Sequence, residues 1–483
     1  MKQKSVKVNA ILNMLKQICM ILFPMITFPY VSRILGPENY GKLSFADSIS
    51  GYVSLLAGLG ISSYAVREGA RLRENRKEFN RFANEMVSIQ LCSTVVAYIA
   101  LLIAMLVSAK LRNYWMLFLI QNIGLIISVW SADWINTVYE DYLYITIRYI
   151  LFQVLALVLM FTFVRQPDDY IIYAVTVALA GTGGAVVNIF YIRRYARLRI
   201  TAKPDFRRHM GPILLLFFNT VAQVIYLNSD ITMLGYLQSE TSVGVYTMVS
   251  KIYRYVKMLF NALVAVIVPR LTLYLAKEEI GEFRNLFQKA ENALLTVLLP
   301  GVVGLFFLGE EAIWIMGGEA YTSGLLSMQI LSVALLFAVL ACLYCSGVLI
   351  PHRLERLCLK ISVISAAVNV VLNLILIPVW DYNGAALTTL LSEMIVFGYY
   401  FAVSRKYPHN HLDKKALAIS AMGCVLVAIV CMASKALIAN VIWRILTAIA
   451  GSCLVYFTFC LFAGNALVRE ITKQILEKIK SRL

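Results

Sequence analysis

The chain reads as an all-α polytopic membrane protein of about fourteen transmembrane helices, and three observations carry that expectation. Its 483 residues are 60% hydrophobic and 15% charged, which leaves too little polar surface for a water-soluble globule of this size. Apolar runs near the ~20 residues that cross a bilayer recur from Asn9 to the neighbourhood of Gly464, with only short polar interruptions. The basic residues gather in alternate gaps between those runs.

The first span, 9–33, follows a basic start. Met1 to Ser32 has the basic-then-apolar order of a signal peptide but no small-residue cleavage site, and it leads straight into the second span, 40–65, so it reads as a helix. A basic connector, 66–82, precedes 83–108 and 113–138. A turn around Glu140 and Asp141, an inside loop without a basic residue of its own, leads to 142–164 and 169–192. After 193–209 come 210–236 and 243–268, then 287–309, 322–350, 358–378, 383–404, 416–435 and 440–464. The last segment, Ala466 to Leu483, alternates Ile471, Ile475, Leu476 and Ile479 with Arg469, Lys473, Lys478, Lys480 and Arg482, the pattern of a helix lying on an anionic cytoplasmic surface.

The N-terminus and the gaps 66–82, 193–209, 269–290, 351–360, 405–415 and 465–483 hold 32 Lys and Arg. The opposite gaps hold seven: Arg33, Lys42, Lys110, Arg112, Arg165, Lys435 and Arg444. That imbalance predicts both termini on the cytoplasmic side of the cytoplasmic (inner) membrane. It also explains the net charge of +17 as topology, since no hydrophilic basic face for nucleic acid exists. The nine cysteines all fall in apolar stretches, where a small buried hydrophobe is the ordinary role; Cys342 and Cys345 form a CxxC with no second pair, so no metal or cofactor is expected. The outward loops are short, about fifteen residues at most, which weighs against an enzyme.

The stretch from Arg33 to Ser44 has a counterpart from Met233 to Thr247, and Arg67 to Phe82 and Arg270 to Phe287 are both basic amphipathic connectors. Two structural repeats follow from this: a six-helix lobe at 1–200, a second at 201–410, an added helix pair at 411–464 and a basic tail at 465–483.

Placing residues at about 100° per position gives four helices a polar stripe. The eighth span aligns Thr247, Ser250, Lys251, Arg254, Lys257 and Asn261; the seventh aligns Asn219, Gln223, Tyr226 and Asp230. The first aligns Asn9, Asn13, Lys16, Met20 and Thr27, and the second Tyr40, Ser44, Asp47, Gly51, Ser54 and Gly58. A mid-membrane charge costs at least ~2.5–3.5 kcal/mol facing lipid, so the three cations of the eighth span should face water or partners. A central aqueous cavity lined by these four helices is the simplest arrangement. Lys16, Asp133, Arg148 and Asp230 sit near helix ends, where snorkelling competes with function. Asp47 and Glu393 lie deeper, as partners for cavity cations or as ion-coupling groups. Ser365, Asn369 and Asn373 share a face suited to helix–helix hydrogen bonding.

Phe28-Pro-Tyr-Val-Ser-Arg-Ile-Leu-Gly-Pro-Glu-Asn-Tyr-Gly41, the Gly58-Leu-Gly-Ile61 stretch leading to Arg67-Glu68, Asn369 to Asn373, and Asn383-Gly-Ala-Ala386 together resemble a Wzx-type oligosaccharide flippase. That is the polysaccharide branch of the multidrug/oligosaccharidyl-lipid/polysaccharide exporter superfamily. The resemblance implies a two-lobed, V-shaped carrier that flips undecaprenyl-diphosphate-linked repeat units by alternating access, with sodium or proton antiport. It further implies work beside a polysaccharide polymerase and chain-length proteins in O-antigen or capsule synthesis. The residues agree: a diphosphate bearing sugars needs a cationic, hydrogen-bonding surface, which Lys251, Arg254 and Lys257 offer, with Lys16 and Arg148 as seconds and Asn219, Gln223 and Asn261 as polar neighbours. Asp47, Asp133, Asp230 and Glu393 are the ion-coupling candidates. A multidrug or lipid-precursor exporter of the same fold would share the topology with a more acidic or apolar cavity. A membrane-embedded glycosyltransferase or polymerase would need a longer outward loop, and His209, His352, His409 and His411 all fall on the cytoplasmic side.

Overall fold

Residues 6–408 and 413–480 are described by the computed structural model; His409, His411 and Arg482 lie outside them. Among the described residues every regular element is helical. Eleven helices are long and apolar enough to cross a membrane, and two of these are each a pair of spans.

Helix α1 (Val6–Gly58) changes direction at Gly36, whose φ of 69° and ψ of 172° suit glycine and no other residue well. Twelve residues of straight helix would part Phe28 from Tyr40 by about 18 Å. Their ring centroids lie 5.3 Å apart, so the chain doubles back there. Pro37 then opens the second half, where its missing N–H costs nothing. Asn39 Nδ2 and Tyr30 Oη pin this corner by donating to the carbonyls of Pro167 (2.8 Å) and Val164 (2.9 Å). This accounts for the Pro-Glu-Asn-Tyr-Gly motif as a turn.

Helix α14 (Glu355–Ser404) is likewise a hairpin, turned at Asp381 with φ 53° and ψ −137°. Tyr400 Oη donates to the Cys358 carbonyl at 3.1 Å, and Ser365 Oγ to the Ser392 carbonyl at 3.2 Å, the rungs of two antiparallel halves. The Asn369–Asn373–Thr388 cluster sits on the same seam, with Asn373 Nδ2 donating to Asn369 Oδ1 at 3.1 Å. Counting both hairpins twice and adding α5 (Trp115–Ser131), a shorter apolar helix, gives the fourteen spans expected.

The chain divides into two units, Met1–Gly244 and Val245–Leu483. The first holds α1, α2 (Ile61–Leu72), α3 (Arg76–Val107), α4 (Ala109–Arg112), α5, α6 (Trp134–Val138), α7 (Tyr142–Phe163), α8 (Tyr170–Tyr191) and α9 (Phe206–Leu237). The division falls one helix later than the sequence boundary near 200, and the reason is a tight seam between α9 and the second half of α1. A Cβ on Gly235 would lie 2.0 Å from the Phe45 ring, and one on Gly51 2.9 Å from Asn228 Nδ2. Thr232 Oγ1 donates to Ser48 Oγ at 2.9 Å between them. The paired numbers fall as their partners rise, so the helices run antiparallel. Beyond α9 the seam ends in a reciprocal contact: a Cβ on Gly41 would lie 1.7 Å from the Glu240 carbonyl oxygen, and one on Gly244 1.9 Å from that of Pro37. These two glycines are the ones duplicated between the repeats, and they bring backbone against backbone as small residues do in membrane helix packing.

The amphipathic connector α2 buries Ile61, Tyr64 and Ala65 among Phe79, Phe82, Met86 and Trp134. Buried His209 is held between Tyr64 Oη (2.8 Å) and Glu85 Oε2 (2.9 Å), joining α2, α3 and α9. The turn at Glu140 and Asp141 borrows its countercharge: Arg73 reaches Glu140 at 2.8 Å and Arg194 pairs with Asp141. Both arginines come from basic connectors assigned to the same side, so the one inside loop without a basic residue fits the charge pattern.

The second unit holds most of α10 (Glu240–Ala276), then α11 (Ile280–Phe307), α12 (Gly309–Gly317), α13 (Leu325–Tyr344), α14, α15 (Lys414–Leu437), α16 (Val441–Ala463) and α17 (Ala466–Lys480). The added pair α15–α16 packs Val427, Cys431, Ala448, Tyr456 and Cys460 together with Leu308 after α11. Tyr456 Oη donates to the Thr296 carbonyl at 2.7 Å, and buried Glu311 accepts Arg444 at 3.0 Å and Lys435 at 3.2 Å. Elsewhere large apolar side chains face outward, Val107 at 82% exposed and Val266 at 79%, as a surface meant for lipid requires.

The reciprocal glycine contact makes a prediction. Gly244→Val should lower the melting temperature in detergent by the equivalent of about 1–3 kcal/mol or prevent accumulation, because the clash is with backbone. Gly181→Ala, where nothing lies within 4 Å, should leave melting unchanged. Equal melting curves for both variants would contradict the seam.

Candidate functional site

Helix α10 brings the three intramembrane cations to one element. Val245, Met248, Val249, Ile252 and Tyr253 are buried within the second unit, while Leu259 and Leu263 are exposed. Lys251, Arg254 and Lys257 are each half-buried at the border between these faces. They are not equivalent. Lys257 Nζ lies 2.6 Å from the carboxylate of Glu393, which is buried on the second half of α14 and also accepts Tyr253 Oη at 3.1 Å. Lys257 is therefore neutralised inside the unit. Arg254 has only a long hydrogen bond to Ser250 Oγ, at 3.5 Å, and no carboxylate partner among the described residues. Asn261 is half-buried farther along, its Oδ1 accepting no hydrogen bond among the described residues.

The first unit holds a second charged cluster. Helix α5 ends at Ser131, and Ala132 turns the chain through a left-handed conformation, φ 40° and ψ 52°. This break lifts Asp133 out of the ladder so that its carboxylate faces neighbouring helices. It accepts Arg148 Nη2 of α7 at 2.8 Å, Asn188 Nδ2 of α8 at 2.8 Å and Ser131 Oγ at 2.5 Å. Asn188 also takes Asn136 Nδ2 at 2.7 Å. Lys16 of α1 sits 5.9 Å from the Tyr149 ring centroid and within electrostatic reach of Asp133 and Arg148. Arg148 is thus an ion-paired, buried residue; one of its guanidinium nitrogens, Nη1, has no partner among the described residues.

The remaining sequence candidates are dispersed. Asp47 is exposed, projecting from the second half of α1 between buried Ala46 and Ser48. Asp230 is buried on α9, near the Tyr52 hydroxyl. Gln223 is exposed on the same helix, and the Asn219 side chain lies outside the described residues. Sequence reasoning placed Glu393 on a short list of acids without its partner. The signal was available only in part: a buried acid and a buried cation of similar depth invite pairing, but 136 residues separate them.

With this geometry in view, the comparisons decide the family. Residues 6–275 match the family described as Polysaccharide biosynthesis protein, more than half of the chain. The chain belongs to that polysaccharide biosynthesis protein family. The expected likeness to its flippase branch is borne out. A protein of Escherichia coli (strain K12) named for O-antigen transport is 21% identical over 379 residues, 78% of this chain and 91% of its own length. The Capsular polysaccharide biosynthesis protein CapF of Staphylococcus aureus is 20% identical over 400 residues, 81% of this chain and 97% of its own. Among solved structures, Lipid II flippase MurJ in an inward closed conformation superposes with a TM-score of 0.74 at 14% identity, covering 95% of this chain and 99% of that one. An inward-facing multidrug resistance MATE family transporter of the MOP superfamily gives 0.60 at 15% identity, covering 80% and 93%. At these identities the structural likeness establishes the fold, a multi-pass membrane bundle of the transporter type.

In a family member built this way, the Lys257–Glu393 pair should behave as a unit. Lys257→Met or Glu393→Met alone leaves an uncompensated buried charge and should cost about 3–5 kcal/mol. The double variant K257M/E393M should recover most of that loss in detergent melting curves. Additive losses would show that the two groups do not depend on each other.

Proposed function

We propose that this family member flips lipid-linked oligosaccharide, an undecaprenyl-diphosphate-bearing repeat unit, across the cytoplasmic membrane by alternating access, and that Lys251 and Arg254 of α10 take its diphosphate or acidic sugars. The observation that carries the site is the division of labour on α10: Lys257 is matched by Glu393 while Arg254 has no carboxylate partner among the described residues. A guanidinium held half-buried in a low-dielectric setting is a strong, bidentate receptor for a phosphate oxygen pair. Half-buried Asn261, on the same helix, supplies a neutral hydrogen bond for a sugar hydroxyl. A carrier of cationic drugs would need the opposite sign on this helix.

The charge pattern of the connectors supports cytoplasmic termini. The chemistry of the transported headgroup supports a place between the enzymes that build the repeat unit inside and the polymerase and chain-length proteins that join it outside. This is carriage without bond-making, so the chain acts as a transporter rather than an enzyme.

The cycle is ion-coupled in this reading, and Glu393 is its first candidate. A sodium ion or proton reaching that carboxylate would compete with Lys257 Nζ and free the ammonium for substrate. Asp133, held by Arg148, Asn188 and Ser131, is the corresponding group of the first unit, and exposed Asp47 and buried Asp230 follow.

The test is export in a flippase-deleted strain. K251A/R254A, at normal membrane abundance, should lose surface-polysaccharide complementation by at least about tenfold, the equivalent of 1.4 kcal/mol. Wild-type export by that variant would remove the assignment.

A further inference from the structure

We propose that the first unit carries a second anion site, built for a phosphate or diphosphate group, on the face opposite the basic connectors. A cavity of about 590 Å³ there is lined by Lys42, Lys110, Arg112, Tyr114, Tyr170 and Glu240, among others. Its volume lies within the ~300–1,000 Å³ of small-molecule sites, which is room for a headgroup rather than a single ion.

Three cations line it against one carboxylate. The same face of the whole chain has only seven basic residues in its connectors, so three of them converge on one cavity. Others on that face have evident structural work: Lys435 and Arg444 hold buried Glu311. Half-buried Lys42 is 2.8 Å from exposed Glu38 and 3.0 Å from Asn39 Oδ1, and an ion pair with so exposed a carboxylate is weakly held. Lys110 Nζ meets the Gln238 carbonyl, at 3.4 Å, and the Phe45 ring, at 5.9 Å, and lies within electrostatic reach of Glu240 without a close ion pair among the described residues. The Arg112 guanidinium makes no hydrogen bond or ion pair among the described residues. The single acid, Glu240, is engaged by Tyr114 Oη at 2.7 Å.

Backbone electrostatics point the same way. Lys42, Tyr114, Tyr170 and Glu240 stand at or near the starts of four helices, the second half of α1, α5, α8 and α10, while Lys110 and Arg112 lie on the short α4 just before α5. A helix start carries the positive end of the helix dipole. The three cations and four helix starts together make an electropositive bowl. In the flippase reading, on which the identity of the natural ligand rests, this bowl lies outside the membrane and receives the diphosphate as it leaves.

The test uses full-length protein purified in neutral detergent at low salt, in the K251A/R254A background, so that the α10 cations cannot contribute. Two probes are titrated by calorimetry: inorganic pyrophosphate, and farnesyl diphosphate as a short lipid diphosphate. Adding K110Q/R112Q should weaken binding by about tenfold or more, and K110R/R112K should restore it. Arg112 is exposed and Lys110 is half-buried without an ion pair among the described residues, so melting curves should move little. Binding of both probes supports the site and marks the phosphoanion as what is read. Binding of farnesyl diphosphate alone supports it as a lipid-headgroup site. Failure of both probes to bind, or equal affinity after K110Q/R112Q, overturns the proposal. Neither result touches the α10 assignment, whose test is export by K251A/R254A.

Discussion

An ionised side chain in a hydrocarbon setting must find a partner, and that constraint orders the charged residues of this chain. Lys257 is matched by Glu393 at 2.6 Å across 136 residues of sequence, and Arg148 of α7 by Asp133 at 2.8 Å just after α5. Such pairs return little net stability against well-packed apolar residues, but breaking one is costly. Their presence at these positions therefore argues for specificity or for a switch rather than for strength. Arg254 has no carboxylate partner among the described residues, and a carried phosphate is the natural candidate for its counterion.

Backbone proximity is the second organising feature. Gly41 and Gly244 each lie against the carbonyl of a residue four positions before the other. With Gly51 and Gly235 they let α9 and the second half of α1 approach closely along their length, so α9 belongs to the first unit although the sequence repeat begins with it. The packing division follows which side chains are small enough to admit a neighbour, and it need not fall where the sequence pattern suggests a repeat begins. A transporter must also keep such seams compatible with movement, and glycine contacts hold by van der Waals fit without directional bonds to break.

Much of the fold was legible in the sequence because lipid simplifies the reading: a span must be apolar for about 20 residues, and charge marks its ends. The hairpins at Gly36 and Asp381 were legible as gaps between spans, although the helices run on almost unbroken through them. The α10 stripe followed from helical spacing alone. Its internal inequality did not, because Glu393 reaches Lys257 only through the packing of α14 on α10. Asp133 was visible as an acid near a helix end, while the break at Ala132 that turns it toward Arg148 depends on a backbone conformation no propensity indicates. The cavity at Lys42, Lys110 and Arg112 gave no sequence signal beyond three outward cations, since four separate segments build it.

In the proposed function α10 separates a structural cation, Lys257, from a substrate-facing one, Arg254. Affinity of purified protein for a lipid-diphosphate oligosaccharide, compared between R254Q and K257M/E393M, tests it directly. The account predicts a loss of about tenfold or more in R254Q and near-native affinity in K257M/E393M. Native affinity in R254Q with a loss confined to the paired variant would contradict it.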